Sequence, residues 1–192
     1  MPDLPSGSWE GSNMTLAHID YLRRARRLPA ADLVEARAPG DELSPQPRDG
    51  ECVVFRAHFL IGFALPVSGF FRRFLASYGF QMHHLGVNAI LYIACFVTLC
   101  EGYLGLHPFS SFFWYFFYFR AQKHKNNDTP YSCGGVVVYR WRGPPFPWII
   151  FKDSCKKWQR TLFYVRNLDE DRDWVGLEPI TDQPTNERNW KI

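Results

Sequence analysis

Apolar residues recur at helical spacing in two stretches of the chain. In residues 13–28 they lie three positions apart, and Pro29 ends the pattern. The second stretch, GFFRRFLASY, follows Ser68, a residue type that caps helix N-termini, and precedes Gly79, which favours the C-terminal stop. Both stretches predict short amphipathic helices. The first helix should bury Leu16, Ile19 and Leu22.

Two further runs are apolar on nearly every face. One extends from Asn88, as the N-cap, to Gly105, and the other follows Pro108 and reads FSSFFWYFFYF. A helix without a polar face belongs in the middle of a core, so we predict that both are buried. Residues 85–106 are mostly apolar, but Asn88 and Glu101 leave only 12 uninterrupted residues. A membrane span needs about 20, so we expect no membrane partner.

Short runs of β-branched and aromatic residues predict strands in other parts of the chain. They are ECVVF at 51–55, GGVVVYRWR at 134–142, WIIF at 148–151 and TLFYVRN at 161–167. The predicted fold class is α+β, with central buried aromatic-rich helices followed by a small antiparallel sheet. The N- and C-terminal tails should be disordered or extended.

The order of these patterns predicts three parts. Residues 1–50 form an N-terminal arm with a short basic helix and a Pro-rich linker, 51–168 form the core, and 169–192 form an acidic tail. After Leu168 the chain should have little to bury. One domain suits a length of 192 residues, and a composition that is 46% hydrophobic and 17% aromatic excludes disorder of the whole chain.

Charge is divided into blocks although the net charge is only +3. Residues 120–160 carry nine Lys and Arg against two Asp, whereas residues 167–187 carry seven acids against one Arg. Such blocks either meet a charged partner or neutralise each other within the fold. The arginines at 23–27 lie in the last turns of the first predicted helix, where they either complement the helix dipole or contact nucleic acid.

Neither cysteine spacing nor the first residues indicate secretion or a metal site. The five cysteines are odd in number and contain no C-x-x-C pair, so we predict no disulfide framework and no bound metal. The start, MPDLPSGSWEGS, lacks a basic segment followed by an apolar one. We therefore expect no secretory signal and an intracellular location, in the nucleus or the cytoplasm.

Motifs for catalysis are missing from the sequence. It contains no G-x-x-x-x-G-K-[ST], no G-x-G-x-x-G and no G-x-S-x-G. His83 and His84 are either a metal pair or, as we favour, a pair associated with solvent or a helix cap. Glu101 is either a buried general acid or a structural partner of an arginine, of which Arg72, Arg73 and Arg120 are the candidates. We predict no enzymatic activity and no cofactor.

One segment combines basic and aromatic residues in the way that a single-strand nucleic-acid platform does. A half-buried sheet with one wet face shows the same pattern, so both interpretations stay open. The residues with possible nucleic-acid contacts are Arg140, Trp141, Arg142, Lys156, Lys157, Trp158 and Arg160.

Several stretches between residues 12 and 178 resemble the plant putative gypsy-type transposon domain. The most distinctive are GFALPVSGFFRRFL at 62–75, HHLGVN at 83–88 and FVTLCEGYLG at 96–105. The family commonly has Thr-Pro in place of Gly86 and Val87, and Leu-Trp in place of Phe113 and Trp114.

This resemblance implies retrotransposon ancestry and offers no catalytic residues to carry over. The chain also lacks the D-[ST]-G of an aspartic protease and the C-x₂-C-x₄-H-x₄-C knuckle of a gypsy-type polyprotein. The expected function is a non-catalytic protein-interaction or assembly module, with self-association or another protein as partner. The alternative is a nucleic-acid-binding domain that uses the basic-aromatic face at 134–160.

Overall fold

Helices and two antiparallel sheets build the part of the chain that the computed structural model describes, namely residues 9, 11–122, 133–143, 145–147, 149 and 155–179. This arrangement confirms the α+β class. The helices are α1 (Leu16–Arg24), α2 (Arg56–Leu60), α3 (Gly69–Tyr78), α4 (Val87–Thr98) and α5 (Ser110–Phe116). The strands are β1 (Val34–Arg37), β2 (Glu51–Phe55), β3 (Phe117–Ala121), β4 (Val136–Arg140) and β5 (Leu162–Asn167). Short 3-10 turns occupy Met82–His84 and Trp158–Thr161, and a π-helical turn occupies Leu99–Leu104.

The larger sheet has the order β1-β5-β2 and is covered on both faces. All of β2 and the first four residues of β5 are buried. Because successive side chains point to opposite faces, Val54 and Phe163 join the main core, whereas Phe55 and Tyr164 join a second, smaller cluster. Strands buried on both faces read as continuous apolar runs, which is why ECVVF predicts β2 so well.

Helix α3 matches its sequence signals at both ends. The Ser68 hydroxyl accepts a hydrogen bond from the backbone N–H of Phe71 at 3.2 Å, and Gly79 takes the left-handed conformation with φ 61°. The helix buries four apolar side chains against the main core: Phe70, Phe71, Phe74 and Leu75. Both predicted boundaries are therefore confirmed.

Two helix predictions are wrong in detail. Leu16 is 69% exposed, so α1 buries only Ile19 and Leu22. Helix α4 takes Gly86 as its N-cap, and Asn88 is an exposed residue inside the first turn. The α-helix also ends at Thr98, and the π-helical turn that follows leaves residues 101–105 exposed instead of buried.

The aromatic run after Pro108 is not one helix. Helix α5 stops at Phe116, and residues 117–121 continue as β3, which pairs with β4 in antiparallel register. In this strand Phe117 is buried, whereas Tyr118 is half-buried and Arg120 is exposed. Side chains of a strand point alternately to two faces, so pairing with β4 gives this segment an inner and an outer face. In a helix, consecutive residues would not alternate between two faces in this way.

Segments outside the predicted core also join it. Strand β1 pairs with β5, and Val175, only 3% exposed, lies in the main core, so the expectation that the chain buries little after Leu168 is wrong at this residue. The three-part division at 50 and 168 stays a prediction. The predicted strand at 148–151 lies outside the described residues apart from Ile149, and so do residues 1–8 and 180–192.

Candidate functional site

The predicted basic-aromatic residues fall into two groups in the structure. Arg140, Trp141 and Arg142 are exposed at the end of β4, beside α5. The Trp141 indole N–H donates to the backbone oxygen of Trp114 at 3.1 Å, and its backbone N–H donates to that of Phe116 at 2.9 Å. These bonds fix the position of Trp141 against the end of α5.

The second group lies near the start of β4. Lys156, Lys157 and Arg160 are exposed, whereas Trp158 is half-buried against Phe55, with ring centroids 4.7 Å apart. A Cβ built on Gly134 would meet the Trp158 ring at 2.5 Å, so this indole lies directly against the chain that enters β4.

The two groups do not form a single surface, because their tryptophans lie far apart. Trp141 lies seven positions after Gly134, which touches Trp158. At about 3.3 Å per residue of extended chain, the two indoles lie roughly 20 Å apart at opposite ends of β4. The nucleic-acid contacts stay a prediction, and the structure separates Arg140, Trp141 and Arg142 from the other four residues.

An exposed apolar surface follows α4, where the sequence predicted a buried helix. We call it the apolar tip, and its members are Tyr103 (81% exposed), Leu104 (48%), Leu106 (49%) and Phe109 (49%). The backbone N–H of Leu106 donates to the oxygen of Cys100 at 2.9 Å, which closes the π-helical turn and holds the tip outward. Glu101 is the only formally charged residue in 101–109 when histidine is neutral.

The area of the tip is that of the largest apolar patch expected on a monomeric protein. Aromatic side chains carry about 200 Å² each, so the exposed fractions amount to roughly 400 Å² per chain with the two leucines included. The largest apolar patch on a monomeric protein measures about 300–600 Å² and is often functional. The tip falls within this range.

The helix that leads to the tip is also long and apolar enough to cross a membrane. Residues Val87–Leu104 span 18 residues with a mean hydropathy of 1.6, and one third of that window is buried. Core helices of soluble proteins pass the same test, so length and composition alone do not assign a membrane role to this helix.

Three histidines lie inside the fold near the smaller core cluster. His58 is fully buried, and neither ring nitrogen has a hydrogen-bond partner among the described residues. Its ring lies 5.1 Å from those of Phe55 and Trp158. Burial lowers the pKa of His58 to about 3, so the imidazole is neutral at physiological pH.

Of the pair at 83 and 84, which we expected to be associated with solvent or a helix cap, only His84 is associated with a helix cap. The Nδ1 atom of His84 accepts a hydrogen bond from the backbone N–H of Gln81 at 3.0 Å, and burial lowers its pKa to about 4. His83 is 6% exposed, so the idea of a solvent-associated residue is wrong for it. Burial, and then the charge of His84, hold the pKa of His83 well below its usual range.

Two hypotheses of catalytic chemistry lose their structural basis. Glu101 is exposed on the π-helical turn, so the buried position that the general-acid hypothesis requires is absent. Within the described residues, no three His, Cys, Asp or Glu side chains are grouped so that they could hold a metal ion. Burial raises the pKa of both Cys95 and Cys100, which suits small apolar side chains better than reactive thiols.

The sequence did not predict the exposure of the apolar tip or the burial of His58. Hydrophobicity could not reveal the tip, because an exposed and a buried leucine have the same sequence signal. For His58, the sequence does give a signal: it lies in the apolar run FRAHFLIGF, where an imidazole is the exception.

Residues 53–121 match the model of a protein family described as putative gypsy type transposon. The match runs from β2 to the end of β3, a little over a third of the chain, and includes the apolar tip. It supports an origin from a retrotransposon. No curated protein and no solved structure matched the chain. The stretches at 12–52 and 122–178 that resemble the same family lie outside the match.

Proposed function

We propose that this chain, whose residues 53–121 match a gypsy type transposon family, is a plant retrotransposon-derived assembly module that associates weakly with itself. It acts inside the cell, without a cofactor and without catalysis of its own. The observation that carries the proposal is the apolar tip, in which Tyr103 is 81% exposed. Burial of this surface against a partner would remove its apolar area from water.

A second copy of this chain is a suitable binding partner for the apolar tip. The segment 101–109 has one formal charge, on Glu101, so two tips can meet without several like charges facing each other. Two copies together would bury about 800 Å², below the 1,200–2,000 Å² of stable complexes. We therefore expect a transient dimer, which becomes effective when many chains are held close together.

Light scattering after size exclusion tests this proposal with two matched leucine variants. Leu106 and Leu60 are exposed to similar extents, 49% and 51%, but Leu60 lies on α2, outside the tip. The parent chain should gain mass as its concentration rises to about 500 µM, as expected for a small interface. Leu106→Asp should remain a monomer, because pairing would bury a charge. Leu60→Asp should behave like the parent.

Three outcomes would count against the proposal. A parent chain that stays monomeric throughout the range has no self-association to explain. Equal effects of the two aspartate variants would place the interface elsewhere. Binding of the parent to lipid vesicles that Leu106→Asp abolishes, with no change of mass in solution, would identify lipid as the occupant of the tip instead.

A further inference from the structure

The outer face of the β3–β4 hairpin carries three aromatic side chains and an arginine. Tyr118 lies opposite Tyr139 in the register, and Arg120 lies opposite Val137. Trp141 follows Tyr139 by two residues, so it belongs to the same face. The other face packs into the main core through Phe117, Phe119, Val136 and Val138. We call the outer set the hairpin face: Tyr118, Arg120, Val137, Tyr139 and Trp141.

The rings of the hairpin face form a short ladder. Tyr118 is its middle member, stacked on Tyr139 at 5.5 Å between centroids with 22° between the planes, and 4.4 Å from Trp141. Tyr139 is 37% exposed and Trp141 is 48% exposed. Because the Trp141 N–H is bonded to the backbone of Trp114, the outer ring keeps its orientation without a ligand.

The described chain that forms the hairpin and leads into it carries formal charge of one sign. Residues 102–122 and 133–143 include three arginines and no Asp or Glu. Arg120, Arg140 and Arg142 are all exposed. Arg120 is on the hairpin face itself, and Arg142 follows Trp141 in the chain. Two copies of such a surface would repel each other, whereas a polyanion would be attracted.

We propose that the hairpin face binds single-stranded nucleic acid, with unpaired bases stacked on Trp141 and Tyr139 and with Arg120 beside the phosphates. Every nucleobase has a face that can stack on an aromatic ring, so this binding needs no particular sequence. A duplex keeps its bases stacked on each other and offers only its phosphates. Single strands should therefore bind more tightly than duplexes of the same length.

This placement changes the set of residues suggested by the sequence. Tyr118 and Arg120, on β3, replace Lys156, Lys157, Trp158 and Arg160, which lie near the other end of β4. Trp158 packs against Phe55 and His58 and is therefore half-buried, which leaves it less ring surface for a base. Residues from two paired strands form the platform, so the segment 134–160 does not contain all of it.

Fluorescence anisotropy with a labelled 20-nucleotide oligothymidine tests the proposal on the full chain. At about 50 mM salt the parent should bind this probe, and Tyr139→Ala should weaken binding about ten-fold through loss of one stacking ring. Tyr139→Phe should retain binding, because it keeps the ring. Thermal unfolding of each variant confirms that the hairpin still folds.

Charge reversal supplies a matched control. Arg120→Glu and Lys156→Glu change the net charge equally at exposed positions, but only Arg120 is on the hairpin face. Arg120→Glu should weaken binding more strongly and should lower the slope of log affinity against log salt by at least about 0.7. Lys156→Glu should change both quantities much less.

Several results would overturn the proposal. One is failure of the parent to bind the probe at about 100 µM protein, where even non-specific electrostatic binding is expected. Another is binding of Tyr139→Ala and Arg120→Glu within two-fold of the parent, and a third is a duplex that binds as tightly as the single strand. If Tyr139→Ala lost self-association but bound the probe as the parent does, the hairpin face would be a protein-contact surface and not a nucleic-acid site.

Leu106→Asp should bind the probe normally, because Leu106 is in the apolar tip and not on the hairpin face. Failure of the assembly proposal is therefore distinguishable from failure of this one.

Discussion

Acidification from pH 7 to pH 5 should destabilise the fold steeply, because three histidines are held neutral inside it. Burial lowers the pKa of His58 to about 3 and that of His84 to about 4, and the pKa of His83 also lies well below its usual range. In the unfolded chain these imidazoles regain an ordinary pKa near 6.5. The stability they contribute is therefore fully present above pH 6.5 and is lost as the pH falls towards the folded-state values.

The size of the effect follows from the number of protons that unfolding takes up. At pH 5 each exposed imidazole binds close to one proton, whereas its buried counterpart binds almost none. From pH 7 to pH 5 this difference costs about 2 kcal/mol for each histidine. His84 is only half-buried, so the three together should cost about 4–6 kcal/mol. A loss of this size is a large part of the 5–15 kcal/mol that stabilises a typical domain.

Urea unfolding followed by circular dichroism at pH 7, 6 and 5 measures this loss. His58→Leu removes one of the buried imidazoles, so the loss between pH 7 and pH 5 should shrink by about 2 kcal/mol. The same variant should not be less stable at pH 5 than the parent, since it also removes two ring nitrogens that have no partner among the described residues. His107→Leu, which removes an imidazole from an exposed position, is the control.

A free energy of unfolding that stays level from pH 7 to pH 5 would refute this reasoning. So would an unchanged pH dependence in His58→Leu, because His58 is the most deeply buried of the three. If His107→Leu changed the pH dependence as much as His58→Leu, burial would not be the cause.

Two further substitutions probe the packing beneath the candidate surfaces. Gly134→Ala places a methyl group 2.5 Å from the Trp158 ring and should lower the free energy of unfolding, measured in urea, by about 1–3 kcal/mol more than Gly40→Ala does. Gly40 has the same positive φ and open space around it, so the difference isolates the clash; equal costs would contradict it. Glu51→Gln removes the charge that holds Arg37 at 2.8 Å inside the sheet and should cost about 3 kcal/mol in the same assay, whereas a cost near zero would show that the pair contributes nothing.

Local signals in the sequence predicted the elements whose ends are set by single residues. Ser68 and Gly79 bound α3 because a hydroxyl satisfies an open N–H and a glycine accepts the left-handed conformation. The run ECVVF gave the bounds of β2, a strand that is buried along its whole length and apolar after Glu51. These features depend on neighbours in the chain, so they can be recognised without knowledge of the fold.

Features that depend on distant contacts could not be predicted in the same way. Tyr103 and Leu106 are as apolar as the core residues of α4, and only the tertiary structure shows that nothing in the described chain covers them. The sequence did not predict the strand at 117–121, because it lies in an aromatic run. Its inner and outer faces differ only through pairing with β4. The separation of Trp141 from Trp158 likewise follows from the path of β4.

Hydrogen exchange measured by mass spectrometry at two protein concentrations tests the central claim, self-association through the apolar tip, most directly. Amides in peptides that cover residues 101–109 should exchange more slowly at about 500 µM than at about 10 µM, since association lowers the population of open states. Peptides from α2 should exchange equally at both concentrations. Protection that appears elsewhere but not at 101–109, or no change anywhere, would contradict the account.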